Sequence, residues 1–391
     1  YGINLLPRAT FSLRVYKDDP CECFKLKGEQ NREINEKQLE MRMHKAMSVI
    51  QFKVEGQIIK KKPGFHLEDR NLLDKIDYER GVITLDGKEY EMLDINFPTI
   101  DPKHPYALSK DEEEIMSRLE SAFLNCEKLQ DHMRFLLNKG GLYKVYNGNL
   151  LYHGCVPLKE DGTLKSVRLY GRSYKGKSLY EVLESYVRKG FYALNKKEKE
   201  RGKDMMWYIW LSENSPLFGK DKMATFERYF LAEKETHKEK KNPYYNLLEN
   251  EKVINMILKE FGLTEESAHI INGHVPVKVI TGESPIKCNG KVLVIDGGFS
   301  RAYHRETGIA GYTLIYNSYG MSLAAHEPFE TTEIAIQEEK DIVSHQIAVN
   351  YSHKRQTVGD TDNGKQLLKK IGELKELIGA YRSGTIKERG N

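Results

Sequence analysis

The sequence predicts an α/β protein with helical insertions between its strands. Short β-rich runs separated by tight-turn residues, as in residues 143–157 and 266–330, indicate a sheet. Apolar residues at helical spacing, as in residues 34–54 and 363–382, indicate amphipathic helices. At 391 residues the chain is long enough to bury a substantial core.

The composition restricts the classes of partner. Hydrophobic residues make up 39% of the chain and charged residues 30%, which is typical of a soluble globular protein. Lys plus Arg number 61 against 57 for Asp plus Glu, and a net charge of +4 does not predict nucleic-acid binding. No apolar run approaches the roughly 20 residues that span a bilayer. The five cysteines form no disulfide pattern, which predicts a reducing, cytoplasmic location.

Turn and cap signals divide the chain into segments. Asp86-Gly87 and Asn147-Gly148 each separate two alternating runs, which predicts two β-hairpins. Residues 111–139 indicate one long amphipathic helix, and residues 331–349 indicate strands by alternation. The expected segments are 1–140 (helix-rich, with a hairpin), 141–160 (core strands), 161–262 (helical charged insertion), 263–362 (core strands) and 363–391 (closing helix and tail).

Two histidines occupy matching positions where a predicted strand meets a turn. His153 follows "NLLY", His274 follows "HIING", and each has a proline shortly after it. Neutral imidazole is a common ligand of divalent transition metals, and a rigid strand end can present it to a cleft. A buried histidine satisfied by a backbone carbonyl explains each residue equally well. The pattern alone therefore leaves both interpretations open.

A carboxylate and several thiols are further candidates for such a site. Asp296 precedes a double glycine in "VIDGGF" and is the best acidic candidate, although Asp in this position also forms turns. Cys155 is better explained as a buried inert thiol than as a ligand. Cys21 and Cys23 lack the second cysteine pair of a structural metal site. Two histidines alone cannot complete a centre that holds two metals.

These residues resemble the calcineurin-like metallophosphoesterases, and within them the class III, Firmicutes-type fructose-1,6-bisphosphatases. "HGCVP" and "NGHVPV" are similar to two motifs that supply histidine ligands to one of that family's two metals. The resemblance extends from about Tyr1 to Tyr381 and includes "SPLFGKDKMATFERYF" and "VIDGGFSRAYHRETG". One departure is Pro276, where many relatives carry a second histidine. The family's Asp-x-His, Gly-Asp-x-x-Asp-Arg and Gly-Asn-His-Asp motifs do not occur, so we expect a C-terminal part whose catalytic histidine lies elsewhere.

The resemblance implies a sandwich of two mixed β-sheets flanked by helices, with the N-terminal part of the fold absent from this chain. It implies hydrolysis of fructose 1,6-bisphosphate to fructose 6-phosphate and phosphate in gluconeogenesis, using two divalent cations, with Mn²⁺ as the expected metal. His153 and His274 would ligate one cation, with Asp296 supporting them from outside the ligand set. The residues expected to bind substrate are Arg301, Arg305, Lys234, Lys238, Lys241, Thr307 and Gly308.

Other interpretations remain open. A protein serine/threonine phosphatase of the same superfamily shares the His-Gly motif and would act on phosphopeptides. A non-catalytic interaction fragment would be inactive by itself, because it lacks most of the metal ligands. Small-molecule effectors and a homo-oligomer are compatible with the sequence, whereas nucleic-acid and membrane partners are not expected.

Overall fold

Helices and strands alternate along the chain in the computed structural model, which describes residues 24, 27, 36–264, 266–296, 304–328, 331–339, 341 and 343–387. Within these residues the helices are α1 (Glu36–Lys61), α2 (Lys110–Leu124), α3 (Glu127–Lys139), α4 (Gly176–Tyr192), α5 (Lys196–Leu211), α6 (Thr225–Phe230), α7 (Glu251–Glu260), α8 (His304–Thr307), α9 (Thr332–Gln337) and α10 (Asp362–Arg382). The strands are β1 (Ile76–Asp77), β2 (Val82–Leu85), β3 (Lys88–Glu91), β4 (Tyr143–Tyr146), β5 (Asn149–Tyr152), β6 (Val167–Leu169), β7 (Arg172–Tyr174), β8 (His269–Asn272), β9 (Ile286–Lys287), β10 (Val292–Val294), β11 (Gly311–Asn317), β12 (Gly320–His326) and β13 (Ser344–Tyr351). The prediction of an α/β protein is confirmed.

A five-stranded mixed sheet forms the centre of the fold, in the order β4-β5-β8-β10-β9. Its three middle strands, β5, β8 and β10, are parallel, and the two outer strands pair antiparallel. Parallel neighbours end at the same edge of a sheet. The residues that follow β5, β8 and β10 are therefore brought together.

Both faces of this sheet are covered. One face carries Leu151, Ile271 and Leu293, which pack with Met321 of β12. The other face packs against α7, because alternate strand residues point to opposite sides. Strands β11, β12 and β13 form a second sheet that is antiparallel within the described residues, whereas two mixed sheets were expected.

Both hairpin predictions are confirmed. In the turn that joins β4 to β5, Asn147 and Gly148 have φ of 48° and 75°. In the turn that joins β2 to β3, Asp86 and Gly87 have φ of 52° and 79°. Two successive positive φ angles are the geometry of a type I′ turn, and its twist matches that of the flanking strands.

Two local predictions were wrong. Residues 111–139 form two helices, because the Asn125 side chain bonds back to Ser121 and Cys126 takes an extended conformation before α3. The start of residues 331–349 is the helix α9, because the Thr331 hydroxyl caps it by accepting from the Ile334 N–H. The strand expected there begins only at Ser344.

The N-terminal segment and the insertion share one core. Phe226 and Phe230 of α6 pack with Phe52 of α1 and with residues of the first hairpin. Segments 1–140 and 161–262, which the sequence analysis separated, are therefore in contact.

The predicted closing helix is present as α10. It is tied to the β4–β5 turn at its first residue, where Asn147 and Asp362 exchange hydrogen bonds of 2.7 and 2.9 Å. Among the described residues, no helix is both long and apolar enough to cross a membrane.

Candidate metal centre

Three polar side chains follow the carboxyl ends of the three parallel strands. His153 comes directly after β5, His274 comes two residues after β8, and Asp296 comes two residues after β10. Backbone hydrogen bonds hold these ends together: Gly273 N–H donates to the His153 carbonyl at 2.9 Å and Val277 N–H to the Asp296 carbonyl at 2.8 Å. The sheet topology therefore brings His153 close to His274 and Asp296, although more than a hundred residues separate it from them in the sequence.

The two imidazoles are in direct contact. Nε2 of His153 lies 2.9 Å from Nδ1 of His274, and the rings are 4.8 Å apart at an interplanar angle of 68°. Two nitrogens that each lie about 2.1 Å from one cation, at roughly a right angle, are about 3 Å apart. The pair thus has the spacing of two adjacent ligands of a single cation. With no cation between them, the same spacing is a hydrogen bond between the rings.

A backbone carbonyl fixes the tautomer of His274. Its Nε2 lies 2.8 Å from the Phe218 carbonyl oxygen, which can only accept, so Nε2 carries the hydrogen. Nδ1 then presents a lone pair towards His153. This combines both interpretations of the sequence pattern, because His274 is satisfied by a carbonyl and still offers a ligand atom.

The environment keeps His274 neutral. Burial lowers its pKa, and the neighbouring His153 and Lys220 act in the same direction. The Phe218 carbonyl and the Asp296 charge oppose this effect without reversing it. The backbone of His274 has φ of 69°, which is uncommon for a residue with a side chain and typical of functional sites.

Asp296 is half-buried at the same edge of the sheet. Its Oδ2 would lie 3.9 Å from a Cβ built on Gly273, so it approaches the backbone that carries His274. Within the described part of the chain, no group of three or more His, Cys, Asp and Glu side chains is arranged to hold a metal ion. The histidine pair and Asp296 therefore do not form such a group by themselves.

The structure separates the three candidate lysines. Lys241 is exposed, its backbone pairs with that of Lys220, and its ammonium lies 6.0 Å from the Tyr245 ring centroid. Lys234 and Lys238 belong to a turn whose Glu235 forms a 2.9 Å ion pair with Lys88 of β3. That turn faces the N-terminal hairpin.

Of the remaining substrate candidates, Arg305, Thr307 and Gly308 lie on or directly after α8. Arg301 is outside the described residues. Arg305 is exposed on α8, which contacts the turn at residues 279–281 that follows His274. Thr307 is buried, and its hydroxyl donates to the Ile309 carbonyl at 2.9 Å, so that donor is used within the chain. Gly308 has φ of 79° and packs closely against Ile280.

Known proteins are similar to this chain along almost its whole length. A family model described as Firmicute fructose-1,6-bisphosphatase matches residues 1–383. The chain belongs to that family. Proteins named fructose-1,6-bisphosphatase class 3 are similar to it along its whole length: those of Clostridium novyi (strain NT) and Alkaliphilus metalliredigens (strain QYMF) are 55% and 54% identical over 100% of the chain. The protein of that name from Clostridioides difficile (strain 630) is 53% identical over 99% of the chain.

This chain spans 59% of the length of these curated relatives. No solved structure matches it.

Sequence reasoning missed three residues that surround the histidines in this family member. The Phe218 carbonyl, the Pro216 carbonyl and Lys220 all belong to "SPLFGK", a stretch noted only for its resemblance. Its Ser, Pro and Gly signalled a turn, but no local pattern indicates which distant side chain a turn will contact.

Cys155 has the character expected of it. It is fully buried, and burial raises the pKa of its thiol to about 12. A thiol protonated at neutral pH is a poor metal ligand. Cys21 and Cys23 lie outside the described residues.

Proposed function

We propose that this chain forms part of a metal-dependent fructose-1,6-bisphosphatase with a calcineurin-like fold, which hydrolyses fructose 1,6-bisphosphate to fructose 6-phosphate and phosphate. The observation that carries the proposal is the 2.9 Å contact between His153 Nε2 and His274 Nδ1, at the ends of two parallel strands. Membership of the Firmicute fructose-1,6-bisphosphatase family supports the substrate. A role in gluconeogenesis and a cytoplasmic location follow from this activity and from the cysteine usage.

The donor set suits a divalent cation of the Mn²⁺ or Zn²⁺ type, because neutral imidazole nitrogens face one point. When bound, a pair of such cations would supply Lewis-acid activation of a water and of the phosphate. His153 and His274 would hold one of them, and Asp296 would add negative charge at the same edge. Lys241 and Arg305 would attract the anionic substrate, since both carry exposed positive charge.

Metal binding tests the ligand assignment on this chain. We expect Mn²⁺ to enhance the relaxation of nuclei near the histidine pair in the unmodified chain, and His153→Ala and His274→Ala each to abolish this effect. His345→Ala is the control, because that histidine lies on β13, is exposed and bonds to Glu327. Unchanged Mn²⁺ binding in both site variants would remove the proposal.

The activity test uses a polypeptide of the relatives' full length, because this chain spans 59% of that length. In that protein, we expect either histidine substitution to lower phosphate release from fructose 1,6-bisphosphate by about 100-fold or more. Hydrolysis of phosphopeptides without hydrolysis of the sugar bisphosphate would instead favour a protein phosphatase. No hydrolysis of either substrate would favour a non-catalytic role.

A further inference from the structure

The turn at residues 215–219, which follows α5, is organised by one buried hydroxyl. Ser215 is fully buried, and its Oγ donates to the Ile209 carbonyl of α5. The same oxygen accepts from the N–H groups of Leu217 and Phe218 at 3.1 and 3.3 Å. One side chain therefore fixes the direction of the peptide groups in this turn.

That turn delivers two carbonyls to the two histidine motifs. The Pro216 carbonyl accepts from Cys155 N–H at 2.9 Å, two residues after His153. The Phe218 carbonyl accepts from Nε2 of His274 at 2.8 Å. A single turn of the insertion thus bonds to both strand ends that carry the imidazoles.

This turn approaches the residue after His153 so closely that only glycine fits there. A Cβ built on Gly154 would lie 2.4 Å from the Pro216 carbonyl oxygen, far inside van der Waals contact. At its far end the turn is anchored by Gly219, whose carbonyl accepts from Asn242 N–H at 2.9 Å. The glycine after His153 therefore makes room for the turn.

We propose that Ser215 is a positioning residue that acts through this turn on the metal centre. It aims the Phe218 carbonyl at His274. This carbonyl selects the tautomer with hydrogen on Nε2, so Nδ1, which faces His153, keeps a free lone pair. The part of this inference that concerns cation binding rests on the function proposed above. The part that concerns the tautomer depends on the protein's own hydrogen bonds.

The test compares Ser215→Ala with Ser212→Ala in the full chain. Ser212 is a matched control, because it lies three residues earlier and is equally buried. Its hydroxyl accepts from Asn214 N–H and does not bond to the peptide groups that carry the Pro216 and Phe218 carbonyls. Nitrogen-15 NMR of the histidine rings reports the tautomer of His274, and a Zn²⁺ titration followed on the His153 and His274 signals reports affinity.

In the unmodified chain and in Ser212→Ala we expect His274 protonated at Nε2 only. In Ser215→Ala we expect mixed tautomers and a loss of Zn²⁺ affinity of about 10- to 100-fold, the usual effect of removing support for a ligand. Ser215→Thr, which keeps the hydroxyl, should restore the single tautomer. Identical tautomer and affinity in Ser215→Ala and Ser212→Ala would overturn the proposal.

A second variant covers the case in which Ser215→Ala does not fold. Gly154→Ala leaves Ser215 intact and pushes the turn away through the Pro216 carbonyl, so the same change of tautomer is expected. An unchanged tautomer in Gly154→Ala would contradict the inference. Failure of the proposed function would be seen separately. In that case a protein of the relatives' full length would hydrolyse no fructose 1,6-bisphosphate, while the tautomer of His274 would still respond to Ser215→Ala.

Discussion

Lys53 and Glu112 form an ion pair in the interior of the protein. The ammonium of Lys53 and the carboxylate of Glu112 are fully buried and lie 2.8 Å apart, and Thr99 bonds to both. Charges removed from water are tolerated only when such partners replace the solvent. Hydrogen bonding likewise satisfies the buried nitrogens of His274 at the candidate metal centre, where a carbonyl and a second imidazole contact them.

Neutralising one member of this buried pair should destabilise the protein. We expect Glu112→Gln to lower the free energy of unfolding by about 3 kcal/mol, because Lys53 would stay charged and buried without a counter-charge. Glutamine can still close the capping box of α2 with Ser109, so the helix start is kept. Denaturant unfolding measures the difference.

Glu89→Gln is the matched control for this prediction. Glu89 forms an equally short ion pair with Arg80, at 2.7 Å, but both side chains are about half exposed. Solvent screens such a pair, and little change in unfolding free energy is expected. Equal effects of the two substitutions would contradict the role given to burial.

At the level of secondary-structure elements, backbone conformation decides where glycine is needed. Gly148 has φ of 75° in the turn that leads into β5 and hence to His153. Gly372 lies in the middle of α10, where the backbone has ordinary helical angles. Neither has an atom within 4 Å of an added Cβ, so space does not distinguish them.

The same substitution should therefore have opposite effects at these two positions. Gly148→Ala should destabilise the chain by about 1 kcal/mol, because a side chain disfavours a positive φ. Gly372→Ala should stabilise α10 by about 0.5–1 kcal/mol, because alanine loses less entropy in a helix. Denaturant unfolding tests the first change and circular dichroism the second. A loss of stability in both variants would exclude this explanation.

At the level of the whole molecule, buried ion pairs join segments that are distant in sequence. Arg70 makes two hydrogen bonds to Glu227 of α6, at 2.6 and 3.1 Å, across 157 positions. Lys222 adds a third contact of 3.4 Å. Burial raises the pKa of Glu227, but its bonds to Arg70 outweigh this effect, and the net pKa is lowered.

This lowered pKa predicts acid-sensitive stability. A carboxylate with a depressed folded-state pKa stabilises the protein above its unfolded pKa of about 4.5, and that contribution is lost as pH falls through the folded value. Glu227→Gln should cost about 3 kcal/mol at pH 7, and the difference from the unmodified chain should shrink below pH 4.5.

Glu235→Gln is the control for the acid experiment. Glu235 also joins distant segments through its ion pair with Lys88, but both side chains are more than half exposed. Its substitution should change unfolding little at any pH. A gap between Glu227→Gln and the unmodified chain that persists unchanged into acid would show that charge is not the cause.

Some features were readable from the sequence because they depend on neighbouring residues. Asn147-Gly148 and Asp86-Gly87 specified their turns, and the spacing of apolar residues specified α10. The break at Asn125 and the helix after Thr331 were missed, because short runs fit more than one element and side-chain caps decide between them.

The sequence by itself determined the two hairpins, the closing helix, the strand-end positions of His153 and His274, and the family. Only the tertiary structure decided that these imidazoles touch and that Phe218 sets the tautomer of His274. The physical reason is the sequence distance over which the deciding interactions act. Turns and helices are governed by local backbone energetics, whereas the bond from His274 to Phe218 joins positions 56 residues apart and exists only once the sheet and the insertion have packed.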